Sequence, residues 1–114
     1  MISMVQLCCT HSPEVPKTSG VYSIRSKNRK EVYIGSTVNL HKRFRTHLFK
    51  LMKGNHPNRK LQQCFNKRQI LFFRVLEYCP PMILRRMEQA FLDEHKNNHR
   101  LLNGARTAAH HSGR

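Results

Sequence analysis

The chain has 114 residues, enough for one modest domain. Its 21 Lys and Arg face 6 Asp and Glu, a formal net charge of +15, and such a field favours nucleic acid over a membrane surface or an acidic protein. No apolar run approaches the roughly 18 residues of a membrane span, and the apolar N-terminus lacks the basic flank of a signal peptide, which argues against spanning and exported classes.

Residues 1–15 read as an N-terminal extension. Within it Met4-Val5-Gln6-Leu7-Cys8 can form a short extra strand, which Ser12-Pro13-Glu14-Val15-Pro16 breaks. The domain proper is expected over 16–103. Pro16 to Ser19 leads into two apolar runs, Val21 to Arg25 and Glu31 to Gly35, separated by the polar Ser26-Lys27-Asn28-Arg29-Lys30. This pattern predicts a β-hairpin. If Arg25 pairs with Lys30 across a loop of about four residues, Tyr22 stands opposite Tyr33 on one face. Each phenol then lies near a glycine, Gly20 or Gly35. By itself such a pair can do no more than pack a small sheet.

After the hairpin, Thr37 or Asn39 can cap a helix over residues 39–53. Leu40, Phe44, Leu48 and Leu51 form its apolar stripe, and Lys42, Arg43, Arg45 and Lys50 its polar face. Gly54-Asn55 is a fitting stop. His56-Pro57-Asn58 opens a second helix to about residue 68, with Leu61, Cys64 and Phe65 inward and Arg59, Lys60 and Lys67 outward. The β-rich run 70–78 supplies a third strand, which Pro80-Pro81 ends. A third helix is expected over 82–97, with Leu84, Met87, Phe91 and Leu92 on one face. Leu101-Leu102-Asn103 packs back, and 104–114 is a small, polar, flexible tail. The sum is an α+β fold: a small three-stranded antiparallel sheet flanked by about three helices. Cys8, Cys9, Cys64 and Cys79 fit no CxxC motif and read as reduced thiols of an intracellular protein. His110-His111 makes no metal site without further ligands.

Gly20-Val21-Tyr22 and Tyr33-Ile34-Gly35, followed by Ser36-Thr37-Val38-Asn39-Leu40-His41-Lys42-Arg43-Phe44-Arg45-Thr46-His47, resemble the signature of the GIY-YIG nuclease family. Val21 stands where the family name has Ile. The resemblance continues through Gly54-Asn55-His56 and Glu88-Gln89-Ala90-Phe91 to Asn103, nearly the whole chain. It implies the same architecture, with the site on one sheet face. It also implies roles. The first tyrosine, Tyr22, orients or deprotonates the attacking water; Tyr33 positions phosphate or water; Arg43 is the helix arginine. His56 assists the phosphate or a proton transfer, Glu88 binds metal, and Asn103 closes the site.

Each role has a physical rationale and a plainer rival. A phenol of pKa about 10 is a weak base, but a strongly positive field, a guanidinium and a metal make the phenolate of Tyr22 more accessible; the rival is packing. Arg43 has the two-pronged fork that fits a phosphate. His47, one turn on, reads better as a helix-surface histidine than as a phosphate contact, and His56 stands evenly between a role in the site and none. Mg²⁺ or Mn²⁺ suits a lone carboxylate plus phosphate and waters, so Glu88 is the metal candidate; its rival is an ion pair with Arg85 on the same helix. Lys42, Arg45, His47, Lys50, Arg59 and Lys60 are the candidate nucleic-acid contacts. The whole reads as a metal-dependent DNA endonuclease with a tyrosine-activated water. The alternative is a non-catalytic basic nucleic-acid-binding module. Only a short tail follows Asn103, so the reading is either an isolated catalytic domain or one that relies on a separate DNA-targeting partner or self-association.

Overall fold

A computed structural model of the chain describes residues 5–6, 15–27, 30–68 and 70–103. Its elements are β1 (Val5–Gln6), β2 (Gly20–Ser26), β3 (Val32–Thr37), α1 (Leu40–Lys53), α2 (Arg59–Arg68), β4 (Leu71–Tyr78) and α3 (Leu84–Glu94), with a 3₁₀ turn at Pro81–Ile83 before α3. The strands run antiparallel in the order β1-β4-β2-β3. Three long strands and three helices match the expected α+β fold. The extra strand is β1, two residues that pair with Phe72 and Phe73 at the edge of β4. The rest of the N-terminal extension before Val15, including Cys8 and Cys9, and the 104–114 tail with His110-His111 lie outside the described residues.

Strand β2 is central, with ladders on both sides, and alternates between two apolar layers. Tyr22 and Ile24 join Phe73 of β4 against Leu40, Phe44 and Leu51 of α1 and Leu61 of α2. Val21, with Val32 and Ile34 of β3, packs on the other side against Leu84 and Leu92 of α3 and against Leu101. The sheet is thus held between α1 and α2 on one face and α3 on the other. At about 25 cal/mol per Å² of apolar surface, these two layers supply the main stabilising force.

The hairpin register differs from the expected one. Ser26, not Arg25, is the last paired residue of β2; its N–H donates to Glu31 O at 3.2 Å and its hydroxyl to Glu31 Oε1 at 2.7 Å. That bond moves every pairing, so Tyr22 lies opposite Gly35 and Tyr33 opposite Ile24. The slip is by an even number of residues, so both tyrosines keep their common face.

Helix α1 starts at an Asn39 cap, whose side chain accepts from Lys42 N at 3.0 Å. It ends at Gly54, which adopts the left-handed conformation (φ 79°) that glycine tolerates. Helix α3 is shorter than expected. Pro81–Ile83 turn tightly first, and His95 N bonds back to Leu92 O at 2.9 Å, closing the helix at Glu94 rather than at 97.

The segment after α3 returns along the free edge of β3. Val32 N–H donates to Arg100 O, and Leu102 N–H to Val32 O. Asn103 then continues the ladder with its side chain: Oδ1 accepts from Ile34 N at 2.9 Å, and Nδ2 donates to Ile34 O at 2.8 Å. One amide side chain thereby satisfies both backbone groups of an edge-strand residue.

Candidate active site

The site is assembled where β2, β3, α1 and the loop before α2 converge. Tyr22 is fully buried and stacks on Phe73, ring centroids 4.7 Å apart. Its phenol runs over the bare backbone of Gly35: a Cβ added there would lie 2.5 Å from Tyr22 Cζ. Glycine at position 35 is therefore required by the phenol and not by a turn. Tyr33, two pairings away on the same face, is only half-buried and makes an edge contact with the His47 ring at 5.6 Å.

His47 departs most from expectation. It is 5% exposed, not a surface residue, and its Nε2 lies 2.6 Å from the Tyr22 oxygen. The buried stripe of α1 is Leu40, Phe44, His47 and Leu51, with Leu48 only partly covered. A polar residue on an apolar helical stripe is the available signal, since positions 40, 44, 47 and 51 fit helical spacing as well as 40, 44, 48 and 51 do. His47 Nδ1 in turn lies 2.8 Å from His56 Nε2. His56 is buried too, and its Nδ1 accepts from the backbone N–H of Asn58 at 3.0 Å. Around this loop, Gln62 Oε1 accepts from His56 N, and Gln62 Nε2 donates to Leu51 O. Asn58 caps α2 at Leu61 N and donates its Nδ2 to Leu102 O. Neither Asn58 nor Gln62 was singled out from the sequence; both are common polar residues whose partners are distant in the chain.

Electrostatics follow burial. Burial pushes the Tyr22 phenol well above its ordinary pKa of 10.0, and the neighbouring Tyr33 adds to this; Arg43 opposes it by charge and by a side-chain hydrogen bond, while Glu88 raises it further. The expectation that the protein's field makes this phenolate more accessible is thus reversed in the free chain, because desolvation outweighs the guanidinium. Burial likewise holds His47 well below 6.5, helped by the charges of His56, Arg43 and Lys50. Burial and Lys50 lower His56 to about 4. Both imidazoles are neutral at pH 7.

Glu88 approaches from the other side of β3. It is buried on α3 and accepts from the Ser36 hydroxyl at 2.5 Å. Ser36 pairs with Val21 and shares the α3 face of the sheet. The candidate residues therefore straddle edge strand β3 instead of lying on one face. Among the described residues no cluster of three or more His, Cys, Asp or Glu could hold a metal ion. One carboxylate beside a hydroxyl suits a hard cation that keeps several waters, so the donor set fits Mg²⁺ or Mn²⁺ better than a soft or fully caged ion.

Around this centre the surface is basic. Lys42, Arg45, Lys50, Arg59 and Lys60 are all exposed. Arg59 and Lys60 rim an open depression that also contains Tyr33 and His56. Lys42 and Arg45 rim a second one with Lys17 and the exposed Phe49. Asn103 sits outside the cluster of rings, on the backbone of Ile34. Cys64 and Cys79 are buried thiols.

A family model for the GIY-YIG catalytic domain matches residues 18–103. The chain belongs to the GIY-YIG family. The resemblance carried by the two tripeptides therefore extends across the domain. Intron-associated endonuclease 1 of Enterobacteria phage T4 is 40% identical over 63 residues, a match that spans 54% of this chain and 26% of that protein. The catalytic domain of intron endonuclease I-TevI, solved as a glutamate-to-alanine variant, has a TM-score of 0.70 at 28% identity and covers 81% of this chain and 98% of that one. A second structure, the catalytic domain of homing endonuclease I-TevI, has a TM-score of 0.67 at 30% identity, covering 75% and 99%. No helix among the described residues of this GIY-YIG chain is long and apolar enough to cross a membrane.

Proposed function

We propose that this GIY-YIG chain is a metal-dependent DNA endonuclease that hydrolyses phosphodiester bonds. The observation that carries the reading is the convergence of Tyr22, Arg43 and His47 with the Glu88 carboxylate at one edge strand, inside a surface of exposed cations.

The residues divide the work as follows. Lys42, Arg45, Lys50, Arg59 and Lys60 take backbone phosphates and bring the duplex to the site. Arg43 grips the non-bridging oxygens of the scissile phosphate with its fork. Glu88, steadied by Ser36, would hold Mg²⁺ or Mn²⁺. Such an ion, when bound, would supply Lewis-acid stabilisation of negative charge on the phosphate. Tyr33, half-exposed at the mouth, positions the water, and Tyr22 activates it. The buried phenol is a poor base while Arg43 is its main cationic neighbour; a divalent charge nearby would lower the cost of the phenolate. Asn103 acts through β3, by fixing the backbone between Tyr33 and Gly35. DNA is the substrate and principal partner; a separate targeting partner or self-association would supply any long recognition sequence.

Incubating the protein with supercoiled plasmid, with and without Mg²⁺, tests the reading. Nicked circles only in the presence of the ion support it, and intact plasmid under all metal conditions contradicts it.

A further inference from the structure

Four groups form a continuous hydrogen-bonded line: the Asn58 backbone amide, His56, His47 and Tyr22. The direction of the protons along it is fixed at one end. A backbone N–H can only donate, so His56 Nδ1, which receives it at 3.0 Å, is an unprotonated acceptor. A neutral imidazole carries one proton, so that of His56 sits on Nε2 and points at His47 Nδ1, 2.8 Å away. His47 Nδ1 is then an acceptor, and its single proton sits on Nε2, aimed at the Tyr22 oxygen at 2.6 Å. The ring planes of the two histidines differ by 11°, with centroids 5.0 Å apart. At that spacing the 2.8 Å contact joins the rings edge to edge, as an in-plane N–H···N bond requires.

We infer that the Asn58 amide, His56 and His47 form a one-way donor chain that locks His47 as the Nε2–H tautomer and delivers a hydrogen bond into the Tyr22 oxygen. His47 therefore stabilises negative charge on that oxygen and does not remove its proton, because its Nε2 is already occupied. The Tyr22 proton points to the other side of the oxygen. His56 and Asn58 are positioning residues, reaching the phenol only through His47. The low pKa values of both rings keep the chain in its singly protonated form at pH 7. The sequence carries no sign of this, since it depends on which ring nitrogen faces a backbone amide.

The inference rests on the proposed role of Tyr22 for its catalytic meaning, but the proton positions do not depend on cleavage. They can be read by nitrogen-15 NMR of the histidine-labelled full chain at pH 7, without DNA. His47 and His56 are each expected to show a pyrrole-type Nε2 with a bound proton and a pyridine-type Nδ1, with a coupling across the bond from His56 Nε2–H to His47 Nδ1. In His56→Gln, whose side-chain amide can still donate to His47, the His47 tautomer should persist. In His56→Ala, which leaves no donor, the Nδ1–H form of His47 should appear. A proton on Nδ1 of either ring in the wild-type chain, or an imidazolium at pH 7, overturns the inference. So does a His47 tautomer unchanged in folded His56→Ala. None of these outcomes bears on whether plasmid is cut, so failure here is distinct from failure of the endonuclease reading.

Discussion

The Tyr22 phenol occupies the space that a side chain at Gly35 would fill. The two residues face each other across the β2–β3 ladder, and Cβ at position 35 would lie 2.5 Å from Tyr22 Cζ. Stacking on Phe73 and the contact with His47 leave the ring little room to retreat. Gly35→Ala should therefore displace the phenol from His47. The expected cost is about 1–3 kcal/mol of stability, typical of overpacking a dense interior, together with a loss of cleavage larger than that of a distant surface change. Thermal unfolding and plasmid nicking check this. Wild-type values for both would mean that the phenol's position is not critical.

Tyr22→Phe removes one oxygen and keeps the packed ring, so it should cost orders of magnitude in rate while the fold survives. The pH profile separates the candidate bases. The Tyr22 phenol titrates well above 10.0. If its ionised form is the base, the rate should climb about tenfold per pH unit from 7 to 9 without levelling. His56 titrates near 4; as the base it would already be saturated by pH 7. A flat profile from 7 to 9 therefore removes the phenolate as base and leaves Tyr22 an orienting group.

Acid should weaken the fold through the same residues. An unfolded chain protonates His47 and His56 near 6.5, whereas the folded chain resists until about 4 at His56 and well below 6.5 at His47. Between those limits the unfolded state binds more protons, so stability falls as pH drops from about 6.5 towards 4. Unfolding temperature measured across that range should decline in the wild type and decline less steeply in His56→Gln. An identical slope in both would rule out His56 as a source of the acid sensitivity.

Much of this was legible in the sequence. The strands and helices follow from apolar periodicity, and α1 ends where Asn39 and Gly54 predict. The pair of tripeptides points to the family. What the sequence could not yield depends on long-range placement. Turn composition fixed the hairpin loop only to within a residue, and the Ser26–Glu31 bond decides it. His47 reads as a surface residue because Leu48 offers an equally good apolar stripe; only its partner on the facing strand, Tyr22, selects between them. Burial of Tyr22 reverses the effect expected from net charge, because local desolvation outweighs a distant field.

Binding should be mainly electrostatic, since exposed Lys and Arg side chains suit backbone phosphates rather than base edges. Affinity for two unrelated duplexes should fall together as salt rises, with a slope of about −0.9 per phosphate neutralised. With one site per chain, nicked circles should precede linear product. Salt-insensitive binding to one duplex alone would contradict this account, and direct linearisation would point to paired sites.

The most direct test measures cutting and binding together in the wild type and in Glu88→Ala. Wild-type protein should nick supercoiled plasmid in Mg²⁺ or Mn²⁺ and stop in excess chelator. Glu88→Ala should bind the same DNA nearly as tightly, because charge elsewhere supplies the affinity, yet leave it uncut. Full cleavage in excess chelator, or wild-type cutting by Glu88→Ala, would contradict a metal-dependent nuclease centred on this carboxylate.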